Sequence, residues 1–157
     1  MTPEKASNNK HKRGRGEGLA SKSATRASSA ASERPDLVLI AEDEEGIALA
    51  LEILIEDAGY RVVHAAHGER ALSLARALHP ALVLTDLMMP RMSGAELIER
   101  LRDDAASHGG AAPRIVLMTA ARNPEANEVR ADAFLPKPFD VEQVIALLDR
   151  FLPAVSA

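Results

Sequence analysis

From Asp36 onward the chain alternates short apolar runs with longer stretches whose apolar residues recur at helical spacing, and this alternation narrows the fold more than any other feature. Leu37 to Ala41, Arg61 to Ala65, Ala81 to Thr85, Arg114 to Thr119 and Ala133 to Leu135 read as strands. Several are apolar at consecutive positions, the pattern of a strand covered on both faces. Between them, Ile47, Ala50, Leu51, Leu54 and Ala58 repeat at helical spacing and stop at Gly59. Leu72, Ala75 and Leu78 mark a second helix that stops before Pro80, and Leu97, Ile98 and Leu101 a third that opens near Ser93. Val141, Val144, Ile145 and Leu148 mark a last one, opened by Asp140. Strands alternating with helices predict a parallel sheet with right-handed crossovers, a doubly wound α/β domain of five strands.

The region before this pattern differs in composition. Residues 1–34 carry eight Lys or Arg against Glu4, Glu17 and Glu33, a net +5, which leaves −9 for the rest of a chain whose total is −4. Met1 and Leu19 are the only large aliphatics there, so burial cannot offset the entropy of ordering it. The expectation is a disordered basic tail over 1–34 and a folded domain over 35–153. Lys10-His11-Lys12-Arg13-Gly14-Arg15 offers a contact for nucleic acid or another anionic surface, and a solvated extension is the plainer alternative.

Absence of cysteine excludes a disulfide framework, a thiolate metal site and a Cys nucleophile, and fits a cytoplasmic protein. The five histidines, at 11, 64, 67, 79 and 108, form no ligand-spaced group and read as ordinary surface or loop residues. Chemistry must therefore come from oxygen and amine groups. In open parallel sheets ligands bind outside the carboxyl ends of the strands. Glu42 and Asp43 follow the first strand, Asp86 the third, Thr119 the fourth and Lys137 the fifth, so all meet at one edge.

Three crowded carboxylates repel unless a cation sits among them, and Mg²⁺, which is held by a few carboxylates and phosphate oxygens, suits this set. Lys137 adds a point charge for a phosphoryl oxygen and Thr119 a hydroxyl donor. Together they describe phosphoryl transfer onto Asp86 as nucleophile. Glu44 and Glu45 read instead as helix-start acids that complement the dipole. Met88, Met89 and Met92 read as packing, and Phe134 as core.

The motifs "LIAEDEEG", "TDLMMPRMSG", "LMTA" and "FLPKPF", with 43 positions from Asp43 to Asp86 and 33 from Asp86 to Thr119, occur in order at the strand ends. In these features the chain resembles the receiver domain of two-component response regulators over about residues 36–152. The resemblance implies a flavodoxin-like (βα)5 fold with strand order 2-1-3-4-5. It implies that Asp43 and Asp86 ligate Mg²⁺, that Glu42 acts through a bound water, and that the Met88 carbonyl is a further ligand. Asp86 would take phosphate from a sensor histidine kinase or a histidine phosphotransfer protein and become 4-aspartylphosphate. Thr119 would move toward the new group with Phe134 turning in behind it, Lys137 would pair with phosphoryl oxygens, and the Lys137–Pro138 bond would be cis.

A receiver of this kind is a switch and not a turnover enzyme, its only chemistry being Mg-dependent self-phosphorylation and self-dephosphorylation at Asp86. Only Leu152 to Ala157 follow the last helix, which leads one to expect a stand-alone receiver acting on a downstream protein. A receiver-regulated nucleic-acid binder using the basic tail is the alternative. An aspartate-nucleophile phosphohydrolase is disfavoured, since Met88 stands where a second acid belongs and no capping insertion is present. One departure stands out: 18 positions separate Thr119 from Lys137, fewer than the family pattern. The fourth helix therefore has room for about two turns, Glu125 to Arg130, with Val129 its only strong apolar anchor.

Overall fold

The computed structural model describes residues 35–120 and 123–154. The predicted tail and its proposed nucleic-acid contact lie outside the described residues. Five parallel strands, β1 (Leu37–Ala41), β2 (Arg61–Ala65), β3 (Leu82–Asp86), β4 (Arg114–Ala120) and β5 (Ala133–Lys137), form one sheet in the order β2-β1-β3-β4-β5. Four α-helices accompany them among the described residues: α1 (Glu45–Asp57), α2 (Gly68–Leu78), α3 (Gly94–His108) and α4 (Val141–Phe151). None is long and apolar enough to cross a membrane.

Successive strand side chains point to opposite faces, and the core divides accordingly. Val38, Ile40, Leu84 and Met118 pack with Leu51 and Ile55 of α1 and with Val144 and Leu148 of α4. Leu39, Val83, Ile115 and Leu117 pack on the other face with Leu72 of α2 and Leu97, Ile98 and Leu101 of α3. Each fully buried aliphatic side chain contributes about 1.5–3 kcal/mol relative to exposure, which makes these two faces the main source of stability. β1 and β3 are buried along their whole length, while the edge strands β2 and β5 are only partly covered. That is why the central strands read as continuous apolar runs.

Helix boundaries follow local chemistry. Ser93 accepts from the Glu96 N–H while Glu96 returns the bond to the Ser93 N–H, and Asp140 and Gln143 make the same reciprocal pair at α4. α1 ends at Ala58, followed by Gly59 at φ 91°, and α2 ends at His79 in the left-handed region just before Pro80.

Three expectations need correction. β3 runs one residue further than read, so Asp86 closes the ladder opposite Met118. β5 extends from Ala133 to Lys137 through Pro136, tolerated because β5 is an edge strand with no further neighbour to receive an N–H. Among the described residues the fourth crossover holds no α-helix: Pro124–Glu128 forms a 3₁₀ turn, opened by Asn123, whose side chain accepts from the Glu125 N–H at 3.0 Å. The segment is too short to repeat α-helical bonds; Ala126 is its buried residue, and Val129, half-buried, packs against the same side of the core. Asp132 secures the entry into β5, accepting from the Ile115 N–H at 2.7 Å and from Arg102 at 3.0 Å.

Candidate functional site

Parallel strands ending in register bring Glu42, Asp86, Thr119 and Lys137 to one edge of the sheet, as the sequence predicts. Glu42 directly follows β1, Asp86 and Lys137 close β3 and β5, and Thr119 is the penultimate residue of β4. Glu42 is 1% exposed, and Asp86 and Thr119 are each 8% exposed. Carboxylate oxygens of Glu42, Asp43 and Asp86 lie within 4.8 Å of one another, the one such acidic group among the described residues. Asp43 is the exposed member.

Lys137 ties two of the three together. Its Nζ lies 2.7 Å from Glu42 Oε2 and 3.3 Å from Asp86 Oδ1. The other Glu42 oxygen accepts the Glu44 N–H at 3.0 Å, so both oxygens of this buried carboxylate are bonded. Burial pushes the Glu42 carboxyl above its ordinary range; the Lys137 and Glu44 bonds only partly offset this, and the charge of Asp86 adds to it. Burial alone would lower Lys137, but its bond to Glu42 and the charges of Asp86 and Glu42 outweigh that and hold the ammonium above its usual value. The two directions are compatible because the partners are unequally desolvated: the Lys137 side chain keeps 20% exposure and that of Glu42 1%.

The loop after Asp86 is held from below. The Leu87 N–H donates to the Met118 carbonyl at 3.1 Å, and the Gly94 N–H to the Leu87 carbonyl at 2.9 Å. Leu87 is buried, and Met89 and Met92 pack against the α2 and α3 side of the core. The hydrophobes around Asp86 thus fix its loop while the carboxylate faces the polar edge. Gly94 is required by close approach: a Cβ there would press into the Asp86 carbonyl. Gly94→Ala should therefore destabilise the fold by about 2 kcal/mol through overpacking and blunt metal binding at Asp86, readable as a lowered urea midpoint and a weaker Mg²⁺ titration.

Two side chains depart from expectation. Met88 is 66% exposed and does not pack, because the loop turns its side chain to solvent; only its backbone remains a candidate ligand. Phe134 is 45% exposed and is not core, since the 3₁₀ turn that replaces a fourth helix leaves its face of β5 uncovered. The Thr119 hydroxyl donates to the Ala120 carbonyl at 3.3 Å, a weak bond readily exchanged. Glu44 occupies the N-cap position of α1 without a side-chain cap bond and Glu45 lies in its first turn, the helix-start placement read from sequence. The Lys137–Pro138 bond is cis.

His64 escaped the sequence reading. Its Nε2 lies 2.7 Å from the Glu42 backbone carbonyl and its Nδ1 3.6 Å from Glu52 Oε1. No spacing rule signals it, because the contact depends on β2 pairing with β1 in the register Ile40 to His64.

Three clustered carboxylates, two of them sharing one ammonium, leave uncompensated negative charge, and a donor set made of oxygen alone suits a hard divalent cation such as Mg²⁺. The residues present fit that ion.

Comparison with known proteins agrees with this geometry. The family described as response regulator receiver domain matches residues 38–149. The chain is 32% identical over 120 residues to the alkaline phosphatase synthesis transcriptional regulatory protein PhoP of Bacillus subtilis, covering 73% of this chain and 48% of that protein. It is 30% identical over 125 residues to sporulation initiation phosphotransferase F of the same organism, covering 76% and 95% respectively. The chain thus spans about half the length of PhoP and nearly all of the second relative. The crystal structure of the chemotaxis response regulator CheY4 of Vibrio cholerae superposes with a TM-score of 0.66 at 29% identity, covering 75% of this chain and 99% of that one. The matched residues span the acidic turn, Asp86, Thr119 and Lys137 alike, so the chain belongs to the receiver domains of two-component response regulators, a family of phosphoacceptor signalling modules.

Proposed function

We propose that Asp86 is the phosphoacceptor of this receiver domain, which spans residues 35–153. The observation that carries this reading is a buried aspartate 3.3 Å from a lysine ammonium, within a cluster of three carboxylates. An oxygen of the Asp86 carboxylate attacks the phosphorus of a phosphohistidine. An O–P bond forms, the P–N bond breaks, and its electron pair returns to the donor imidazole. Lys137 then transfers its pairing to the phosphoryl oxygens, and the Thr119 hydroxyl gives up its weak bond to Ala120 to donate to them. Phe134, exposed on β5, turns toward the space that Thr119 vacates, coupling the acyl phosphate to the surface.

Glu42, Asp43, Asp86 and the Met88 carbonyl would hold Mg²⁺, Glu42 through a water. The bound ion supplies positive charge that offsets the crowded carboxylates and the incoming phosphoryl oxygens. The partners are a histidine kinase or phosphotransfer protein upstream and a protein recognising the switched surface downstream, in the cytoplasm. The domain acts as a switch whose own chemistry is limited to gain and loss of phosphate at Asp86.

The test is incubation of the full chain with acetyl phosphate. The expected result is one phosphoryl adduct by intact mass, formed only with Mg²⁺ present, stable in acid and lost in base. No adduct with any small phosphodonor in the presence of Mg²⁺ overturns the reading.

A further inference from the structure

We propose that His64 is a positioning residue for the divalent-ion site, its Nε2–H holding the Glu42 carbonyl and thereby setting the acidic turn; this rests on the reading of that site as a metal centre. Parallel pairing of β1 with β2 ends at Ala41 and Ala65. One bond continues past it, from the Glu42 N–H to the Ala65 carbonyl at 3.1 Å. The Glu42 carbonyl then accepts from a side chain, the His64 imidazole, at 2.7 Å. A carbonyl oxygen can only accept, so the proton is on Nε2.

Glu42 is thereby gripped on both sides of its peptide backbone by β2, and the carbonyl concerned belongs to the peptide that leads into Asp43. Rotation of that peptide would swing Asp43 relative to Glu42, whose own carboxylate is pinned by Lys137 and the Glu44 N–H. Glu52 Oε1 of α1 lies 3.6 Å from Nδ1, beyond hydrogen-bond reach, so the Nε2 contact is what fixes the ring, whose side chain is 25% exposed. His64 touches no ligand atom of the site. It acts through the backbone, as outer partners do when they orient groups that bind a metal.

The experiment measures Mg²⁺ affinity of the full chain by calorimetric titration for the unsubstituted protein and for His64→Ala, His64→Phe and His64→Gln. Gln places an amide N–H near the position of Nε2, and Phe keeps the ring volume without a donor. The expected result is a loss of about tenfold in affinity for the Ala and Phe variants, with wild-type affinity kept by Gln. A purely structural role would lower the melting temperature of the Ala variant without following the donor. Equal affinity in Phe and wild type, or a loss in Gln as large as in Phe, overturns the proposal. Failure of the unsubstituted protein to bind Mg²⁺ is a different outcome, which overturns the metal-site reading beneath it.

Discussion

Asp86→Asn is expected to abolish phosphoryl uptake from acetyl phosphate while leaving the fold intact. The amide has the size of the carboxylate and can still accept from Lys137, but it is neutral and its oxygen is too weak a nucleophile to displace at phosphorus. The same change relieves electrostatic crowding. The charge of Asp86 is one of the causes that raise Glu42, so removing it leaves Glu42 sole claimant on Lys137. Stability without divalent ion should rise at neutral pH, because one like charge beside buried Glu42 is gone, while Mg²⁺ affinity should fall for want of a charged ligand. Intact mass, urea denaturation and Mg²⁺ titration read the three effects. Continued labelling of the variant at an undiminished level would place the acceptor elsewhere, with Asp43 the next candidate.

The proposal of Asp86 rather than Asp43 as acceptor has a physical basis. Asp43 is solvent-exposed, whereas Asp86 is 8% exposed and has an ammonium 3.3 Å away to stabilise the charge that gathers on a transferring phosphoryl group. A low-dielectric setting makes that interaction worth more than it would be in water.

The sheet and its active edge were legible in the sequence for one reason: a parallel sheet with both faces covered writes continuous apolar runs, and its strand ends collect the polar residues next in the chain. β1 carries that signature at every position and β3 from Leu82 to Leu84, and Glu42 and Asp86 are the first charges after these runs. Contacts set by register or by missing cover were not legible. His64 reaches Glu42 only because β2 lies beside β1, a relation between residues 22 positions apart that no local spacing records. Phe134 looked like core because aromatic residues in strands usually are, but its exposure is decided by the 3₁₀ turn Pro124–Glu128 on another segment. The shortness of that crossover could be counted from Thr119 to Lys137; its collapse to 3₁₀ geometry could not.

Lys137→Met should separate the structural work of the ammonium from its chemical work. Met keeps most of the stem volume and removes the charge, so buried Glu42 and Asp86 lose their shared partner. Removing one member of a buried ion pair costs about 3 kcal/mol, and that loss is expected at pH 7 without divalent ion. Its pH dependence has a definite sign. Glu42 is already raised above its ordinary value of 4.5 by burial, and loss of the lysine raises it further. A carboxyl whose folded pKa exceeds its unfolded one binds more protons in the folded state between the two values, so stability falls as pH rises through that window. The deficit should therefore be small below pH 4.5, where both states are protonated, and should open as pH rises above it. Mg²⁺ replaces the missing positive charge and should stabilise the variant more than the wild type. Phosphorylation should not be rescued in the same way, because no ammonium would remain beside the transferring group, and the rate from acetyl phosphate should fall about a hundredfold. Thermal melts across pH, with and without Mg²⁺, beside a timed labelling assay, measure all of this. If melts of variant and wild type coincide at every pH, Lys137 is a solvated lysine and its 2.7 Å bond to Glu42 contributes nothing to the site.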